Sequence, residues 1–408
     1  MAFTRLWVIA YRDLGRNRRR SILTLIAVAL GLALLVVMSG YIAGVLDGAL
    51  SNSIRLQTGH VQLRAESYDE TKLSLLWSDL LGDSETLLTQ AGGMSEVKAA
   101  TPVLWSSGVL STIQESVGMR VAGIDPASEM YDPVRQGIMA GQFLTADDHG
   151  GILMGKSLAD SMDIGVGERV SLTVGTSNEI PVDGIFTVRG LFATGVPSYD
   201  DNTVFMSLAQ AQAVMDANGH ASAIIIMLHQ QDNADQVAGT LQRPGITAQT
   251  WEDLNSFLLE AVQAGMSFYI MMYGVVILVV AVIIANTLLM SVFERTREMG
   301  ILAALGMKGR QIMLMVVIEA GILALMGILV GVLLGSAGVW YLSSVGIPVG
   351  DLGSAAEGIA MGSTLYAKFV PGDIASLSFW MLAIILLASL YPAWFAARRE
   401  PVSALHAL

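Results

Sequence analysis

Four stretches of the chain carry no charged side chain and little alternation of polar with apolar positions. Ser21–Leu46 holds 26 such residues and Ala261–Phe293 holds 33. The other two are Ala320–Gly350, entered just after Glu319, and Ile374–Ala397. The hydrocarbon core of a bilayer takes about 20 apolar residues of helix, so each stretch predicts one crossing. The first is too long for a signal-peptide core and lacks a small-x-small cleavage site, which predicts an uncleaved anchor.

The pattern changes between the first two spans. His60–Arg64 and Val170–Val174 alternate as half-buried strands do. From Val204 the chain reads as a strand, a helix capped by Ser207 and stopped at Asn218-Gly219, and the apolar strand Ala223–Leu228. A second short helix and a strand near Thr247 follow. The middle, about residues 115–203, is richer in glycine and short strands. The fold predicted is an α-helical membrane protein with four transmembrane helices and a large extracytoplasmic α/β domain, carrying a β-rich insertion, between the first two spans. Leu46, Leu50 and Ile54, and likewise Trp251, Leu254 and Leu258, continue a helical face beyond those spans. The second run alone would be about 50 Å long against a core of ~30 Å, so both helices are expected to run on as a stalk.

The expected segments are a cytoplasmic amphipathic helix (1–20), first span and stalk (21–56), external domain (57–250), stalk and second span (251–293), and a cytoplasmic loop (294–310). A third span (311–341), an external loop (342–373), a fourth span (374–397) and a cytoplasmic tail (398–408) complete the chain. Lys and Arg set this orientation. Six arginines precede the first span, four basic residues fill the 294–310 loop, and Arg398 and Arg399 follow the fourth span, whereas the 351–373 loop has only Lys368. The positive-inside rule puts both termini and the 294–310 loop in the cytoplasm of a cell inner (plasma) membrane. Trp7, Phe293, Trp394 and Phe395 would mark the inner interface, and Tyr269, Trp340, Tyr341 and Trp380 the outer. Phe3, Leu6, Trp7, Tyr11 and Leu14 share one face of the first segment, with Arg5, Arg12 and Arg16 opposite, as in a helix lying on anionic membrane lipids.

Composition removes several alternatives. Charged residues are 14% of the 408 and hydrophobic ones 53%, where a soluble chain has about 25% charged. The net charge of −12 comes with no basic stripe and argues against nucleic acid as a partner. Asp47–Glu260 holds 27 acids and 10 bases, so the acidity belongs to the external domain. With no cysteine there is no disulfide, thiolate nucleophile or cysteine-held zinc. The five histidines are scattered, and no metal site is predicted. Gly150–Ser157 spells a phosphate-loop pattern, but its apolar triplet Ile152-Leu153-Met154 lies where the loop should be, and Asp147-Asp148-His149 where the strand should be. An ordinary strand–turn–helix is expected there. Asp147-Asp148 and Asp200-Asp201 read as solvated turns. Nothing in the chain predicts catalysis.

The 294–310 loop is more informative. Glu294, Arg295, Arg297 and Glu298 open it, Met299 and Gly300 follow, Ile301, Leu302 and Leu305 form an apolar helical face, and Gly306 with Gly309 ends it. It reads either as an interfacial helix or as a short helix docking in a partner's groove, its charges fixing register. Gly40, Gly44 and Gly48 recur every fourth residue along the first span, as do Gly327, Gly331 and Gly335 along the third. Such faces let helices approach closely, within one bundle or at a dimer seam. Glu319 and Asn286 are polar groups at membrane depth. Glu319 is expected to have a structural partner, Asn286 or a backbone group, ahead of a proton or cargo role.

The loop resembles the coupling segment of FtsX/MacB-like (type VII) ABC transporter permeases. So do Leu14–Ser21 before the first span, Gly151–Ala159 with Gly165–Glu168, and the tail Tyr391–Leu405. Thr58–Gln62, Asp200-Asp201 and Ala209–Ala211 look most like the lipoprotein-releasing LolC/LolE branch. The resemblance implies a permease, paired with a second permease as homo- or heterodimer and served by cytoplasmic ABC ATPase subunits. ATP and Mg2+ would be bound by those subunits and no cofactor by this chain. Hydrolysis would move the external domain by mechanotransmission, extracting or exporting lipoprotein or other lipid-anchored cargo. Drug or peptide efflux with a periplasmic adaptor, and control of an external cell-wall hydrolase, are the alternatives.

Overall fold

A computed structural model describes residues 18–73, 75–113, 115–349 and 359–398. The expected amphipathic helix, up to residue 17, and the tail from residue 399 lie outside the described residues. The chain divides into two compact units, with boundaries between Val45 and Leu46, Val262 and Gln263, Ile347 and Pro348, and Leu365 and Tyr366.

The first unit is helical. Its main helices are α1 (Arg18–Ser53), α2 (Ser256–Glu294), α3 (Thr296–Ala304), α4 (Gly309–Val345) and α5 (Pro371–Ala397). Among the described residues, α1, α2, α4 and α5 are long and apolar enough to cross a membrane. They are apolar all round, the pattern of a span, because outward Leu, Val and Phe side chains meet lipid. Leu23, Leu30 and Leu34 of α1 and Val275, Leu278 and Val282 of α2 are such outward residues. Inside, Leu32 and Val36 of α1 pack with Ile277 and Ile284 of α2, Ala320 and Ala324 of α4, and Met381 and Ile385 of α5. Both unit boundaries within long helices fall inside continuous helix: α1 runs on to Ser53, then through a wide turn to Thr58, and α2 begins before Val262.

The second unit is the α/β domain. Its strands are β1 (Val61–Ala65), β2 (Val97–Ser111), β3 (Ser116–Ile124), β4 (Ile138–Gly141), β5 (Gly151–Gly155), β6 (Arg169–Val174), β7 (Val182–Phe192), β8 (Thr203–Ser207), β9 (Ala223–Leu228) and β10 (Ile246–Thr250). They join in the order β10-β1-β9-β2-β3-β8-β5-β7-β4, with β6 bridging β2 and β7. That bridge closes β2, β3, β8, β5, β7 and β6 into a ring, so those strands present no free edge to one another. Its inward positions alternate with outward ones. Val170, Leu172 and Val174 are buried, as are Phe186 and Val188, while Arg169, Ser171 and Ile185 face out.

Strand β4 flanks β7 outside the ring, and β10, β1, β9 and the first half of β2 form an open antiparallel sheet. Helices Ser84–Gly92 and Ala234–Leu241 cover it, burying Leu87, Ala91, Val237 and Leu241 against Val61, Leu63, Ile224 and Ile226. The β-rich stretch 115–203 supplies most of the ring, but β2, continuous over fifteen residues, belongs to both layers. Val97–Val103 pairs with β9 and Gly108–Ser111 with β6. Gly108 permits this crossing, because a Cβ there would lie 2.7 Å from Val121 Cγ2 and 2.9 Å from the Thr173 carbonyl oxygen.

The segments joining this unit to α1 and α2 are clasped to each other. Ser53 Oγ donates to Asn255 Oδ1 at 2.6 Å, and both residues are buried. Thr250 and Asp253 form a capping box just before α2.

Candidate functional site

The segment linking α2 to α4 is built around one short helix. Arg295, outside helical geometry at φ −108°, separates α2 from α3, and Gly306 at φ +95° ends α3 in a conformation that favours glycine. Leu305 N–H donates to the Ile301 carbonyl, and Met307 N–H donates to that of Leu302, closing the last turn. Lys308 N–H then donates to the Gln311 side chain and starts α4.

The structure sorts the expected docking residues into two faces. Met299 and Gly300 point inward, Met299 packing with Val292, Ile312, Met315 and Val316. Arg295 is buried at 7% exposure. Leu302 and Glu298 are half-buried. Glu294, Arg297, Ile301, Leu305 and Gly306 are exposed, Ile301 at 46% and Leu305 at 80%. The outward apolar pair is therefore Ile301 and Leu305, one turn apart, with Arg297 a turn before them. Leu302, expected beside them, sits to one side of that face.

Glu319 is paired, but not with Asn286. Its carboxylate accepts from Arg295 Nη1 at 3.4 Å, and Arg295 Nε donates to Glu298 at 3.2 Å. Asn286 instead lies exposed on the outer face of α2. Glu294 accepts from Arg20 Nη1 at 2.8 Å. Sequence reasoning missed both pairings, because hydropathy records that a charge is present but not which charge, 24 or 274 residues away, will meet it.

The two glycine series behave differently. Gly327, Gly331 and Gly335 of α4 sit against Val28, Ala29 with Leu32, and Val36 of α1, so the series makes an intramolecular seam. A Cβ on Gly40 would come within 2.9 Å of Val339, and one on Gly44 would strike the Tyr366 carbonyl. Gly48 has nothing within 4 Å and is not part of that packing. Gly31 against Val280 and Gly338 against Val37 are further close approaches that the four-residue period did not mark.

In the α/β unit, Gly150–Ser157 is strand β5 running into helix Lys156–Ser161, with the apolar triplet buried and Lys156 paired to Asp160. No phosphate cradle is formed there. The acid pairs are not the solvated turns expected. Asp148 is buried and paired with Arg189 at 3.1 Å. Asp200 is buried and accepts from Thr194 N–H, Thr194 Oγ1 and Gly195 N–H, holding the loop between β7 and β8. Burial pushes its carboxyl above the usual range, against those donors, which pull it down. Among the described residues, no three His, Asp or Glu side chains converge as a metal site.

Comparison with known proteins places these features in a family. Residues 21–243 match the MacB-like periplasmic core domain and residues 270–401 the FtsX-like permease C-terminal domain. The lipoprotein-releasing system transmembrane protein LolC of Neisseria meningitidis is 26% identical over 96% of this chain and 95% of its own length. The macrolide export ATP-binding/permease protein MacB of Marinobacter nauticus is 24% identical over 83% of this chain, which spans 54% of that protein. The periplasmic region of MacB from Actinobacillus actinomycetemcomitans aligns to 51% of the chain with 97% of its own, at a TM-score of 0.35 and 12% identity. The chain belongs to the FtsX-like, MacB-like family and is a multi-pass ABC transporter permease of the LolC and MacB type.

Proposed function

We propose that this permease couples ATP hydrolysis by separate cytoplasmic subunits to movement of its α/β domain outside the inner membrane, and that the work releases lipoprotein or another lipid-anchored molecule. The observation that carries the reading is the exposed Ile301–Leu305 pair on α3. Two large apolar side chains presented one turn apart, beside Arg297, suit the groove of a partner protein. Continuous helix through the two boundaries that fall in α1 and α2 supports force transmission, since a rod moves its far end and a flexible tether does not. Both termini and α3 then lie in the cytoplasm, in keeping with the positive-inside bias of the basic residues. A second permease completes the transporter, ATP and Mg2+ sit in the ATPase subunits, and this chain itself catalyses nothing.

Lipid-anchored cargo is put ahead of efflux on the LolC relatives, named for a lipoprotein-releasing system, the first of which is 26% identical over 96% of this chain. The test is to purify the tagged full chain from its native membrane and reconstitute it with whatever ATPase accompanies it. Triacylated lipopeptide in the vesicles is expected to raise ATP hydrolysis several-fold. Stimulation by a macrolide with a periplasmic adaptor, and none by lipopeptide, would establish efflux instead.

A further inference from the structure

The end of α2 carries a charged dipeptide whose two members reach in different directions. Glu294 pairs with Arg20 at the start of α1. Arg295 reaches Glu298 of α3 through Nε and Glu319 of α4 through Nη1. The Arg295 and Glu319 side chains are each 9% exposed, and Val292, Met299, Ile312, Met315 and Val316 of the same segments form a buried apolar cluster. Arg20 with Glu294 is more open, at 24% and 44%. Among the ion pairs of the described residues, Arg295–Glu319 is the one with both side chains as little as 9% exposed.

Such a pair is a poor way to gain stability. Removing two ions from water offsets most of their attraction, and an apolar pair of similar volume often holds a fold as well or better. What an ion pair supplies and an apolar pair does not is a fixed direction. Apolar surfaces slide past one another at small cost, whereas a buried guanidinium and carboxylate give up a directional, charge-assisted contact when they part. Glu319 is ten residues past the start of α4, about 15 Å along its axis, so the contact grips that helix well inside its length.

We propose, building on the function proposed above, that Arg295 and Glu319 are positioning residues that fasten α3 to α4, so that a push on the exposed face of α3 displaces α4 as well. The ATPase touches Ile301 and Leu305, and the ion pair behind them carries the displacement onward. Glu319 serves this fastening, and a cargo or proton site is not needed to account for its place in the span.

The experiment uses the full chain reconstituted with its co-purifying ATPase in vesicles containing triacylated lipopeptide. The readout is the ratio of lipopeptide-stimulated to unstimulated hydrolysis. The variants are Glu319→Gln, Arg295→Lys and the apolar double variant Arg295→Met with Glu319→Met. The double variant is expected to fold, to melt close to wild type, and still to bring down the ATPase, while its ratio falls by at least about fivefold, the low end of ordinary coupling between sites. Glu319→Gln should lose coupling similarly, and Arg295→Lys, which keeps the charge, should retain more than half of the wild-type ratio. Glu319→Gln removes one of the carboxylates that Arg295 meets and lowers stability, so the double variant, which removes both charges of the contact, decides the matter. A folded, ATPase-bound double variant with the wild-type ratio would overturn the fastening while leaving the proposed function intact. A wild-type complex that lipopeptide does not stimulate would instead remove the proposed function, and this inference with it.

Discussion

Leu305→Asp is expected to release the ATPase from a permease that still folds. Leu305 is 80% exposed at the end of α3 and belongs to no buried cluster, so an aspartate there costs the free chain little. Pressed into a partner's apolar groove, the same carboxylate would lose its water without gaining a counter-charge. Interface anchors of this kind are worth about 2–4 kcal/mol, so affinity for the ATPase should fall by at least about thirtyfold. Co-purification of the ATPase with the detergent-solubilised variant, read beside its melting temperature, checks this. Met299→Asp is the contrast, because Met299 is 5% exposed and packs against α4 and α5, so that variant should fail to fold. An ATPase retained at wild-type stoichiometry by Leu305→Asp would show that the partner docks elsewhere.

Gly331→Leu should open the seam between α1 and α4. A Cβ at position 331 would stand 2.8 Å from the Ala29 carbonyl oxygen, 3.0 Å from Leu32 Cβ and 3.2 Å from Ala29 Cα. Two of those atoms are backbone, so the helix itself must move aside. Gly331→Ala is expected to cost about 1–3 kcal/mol, the usual penalty for overpacking a tight contact, and the larger leucine more. Thermal unfolding in detergent should show a stepwise loss from wild type through Ala to Leu. Gly48→Leu serves as the comparison. It belongs to the glycine series on α1 but has no atom within 4 Å of its would-be Cβ, so its melting temperature should stay at the wild-type value. Equal losses at both positions would mean that the series acts through backbone flexibility rather than close approach.

These positions show what a sequence discloses and what it withholds. Span number and order follow from uncharged run lengths, because a bilayer imposes one requirement on every residue of a span. Helix limits are less visible: Ser21–Leu46 is uncharged, yet α1 runs from Arg18 to Ser53, since a helix need not stop where the lipid does. In the α/β domain, Ser207 and the strand Ala223–Leu228 are legible because capping and continuous apolar runs are local signals. The double duty of β2 is not, because nothing local marks a strand shared by two layers, and it is the pairing of Gly108–Ser111 with both β3 and β6 that creates it. Asp148 and Asp200 mislead for the same reason, since an acid among small and polar neighbours resembles a solvated loop until distant chain covers it.

Within the α3 segment, composition marks a docking helix, but only packing separates outward Leu305 from inward Met299 and half-buried Leu302. A periodicity of 3.6 residues over nine positions defines a face only loosely, and the neighbouring helices α4 and α5 decide which side is covered. The Arg295–Glu319 contact belongs wholly to tertiary structure.

Coupling of this kind requires that α3 and the α/β domain stand on opposite sides of one membrane. Because the chain has no cysteine, Leu305→Cys and Ile180→Cys each create a single labelling target, both at exposed positions. With a membrane-impermeant maleimide on cells whose inner membrane is sealed but exposed, the Ile180→Cys variant should label at once and the Leu305→Cys variant only after that membrane is permeabilised. Labelling of both variants from the same side of the sealed membrane would contradict it.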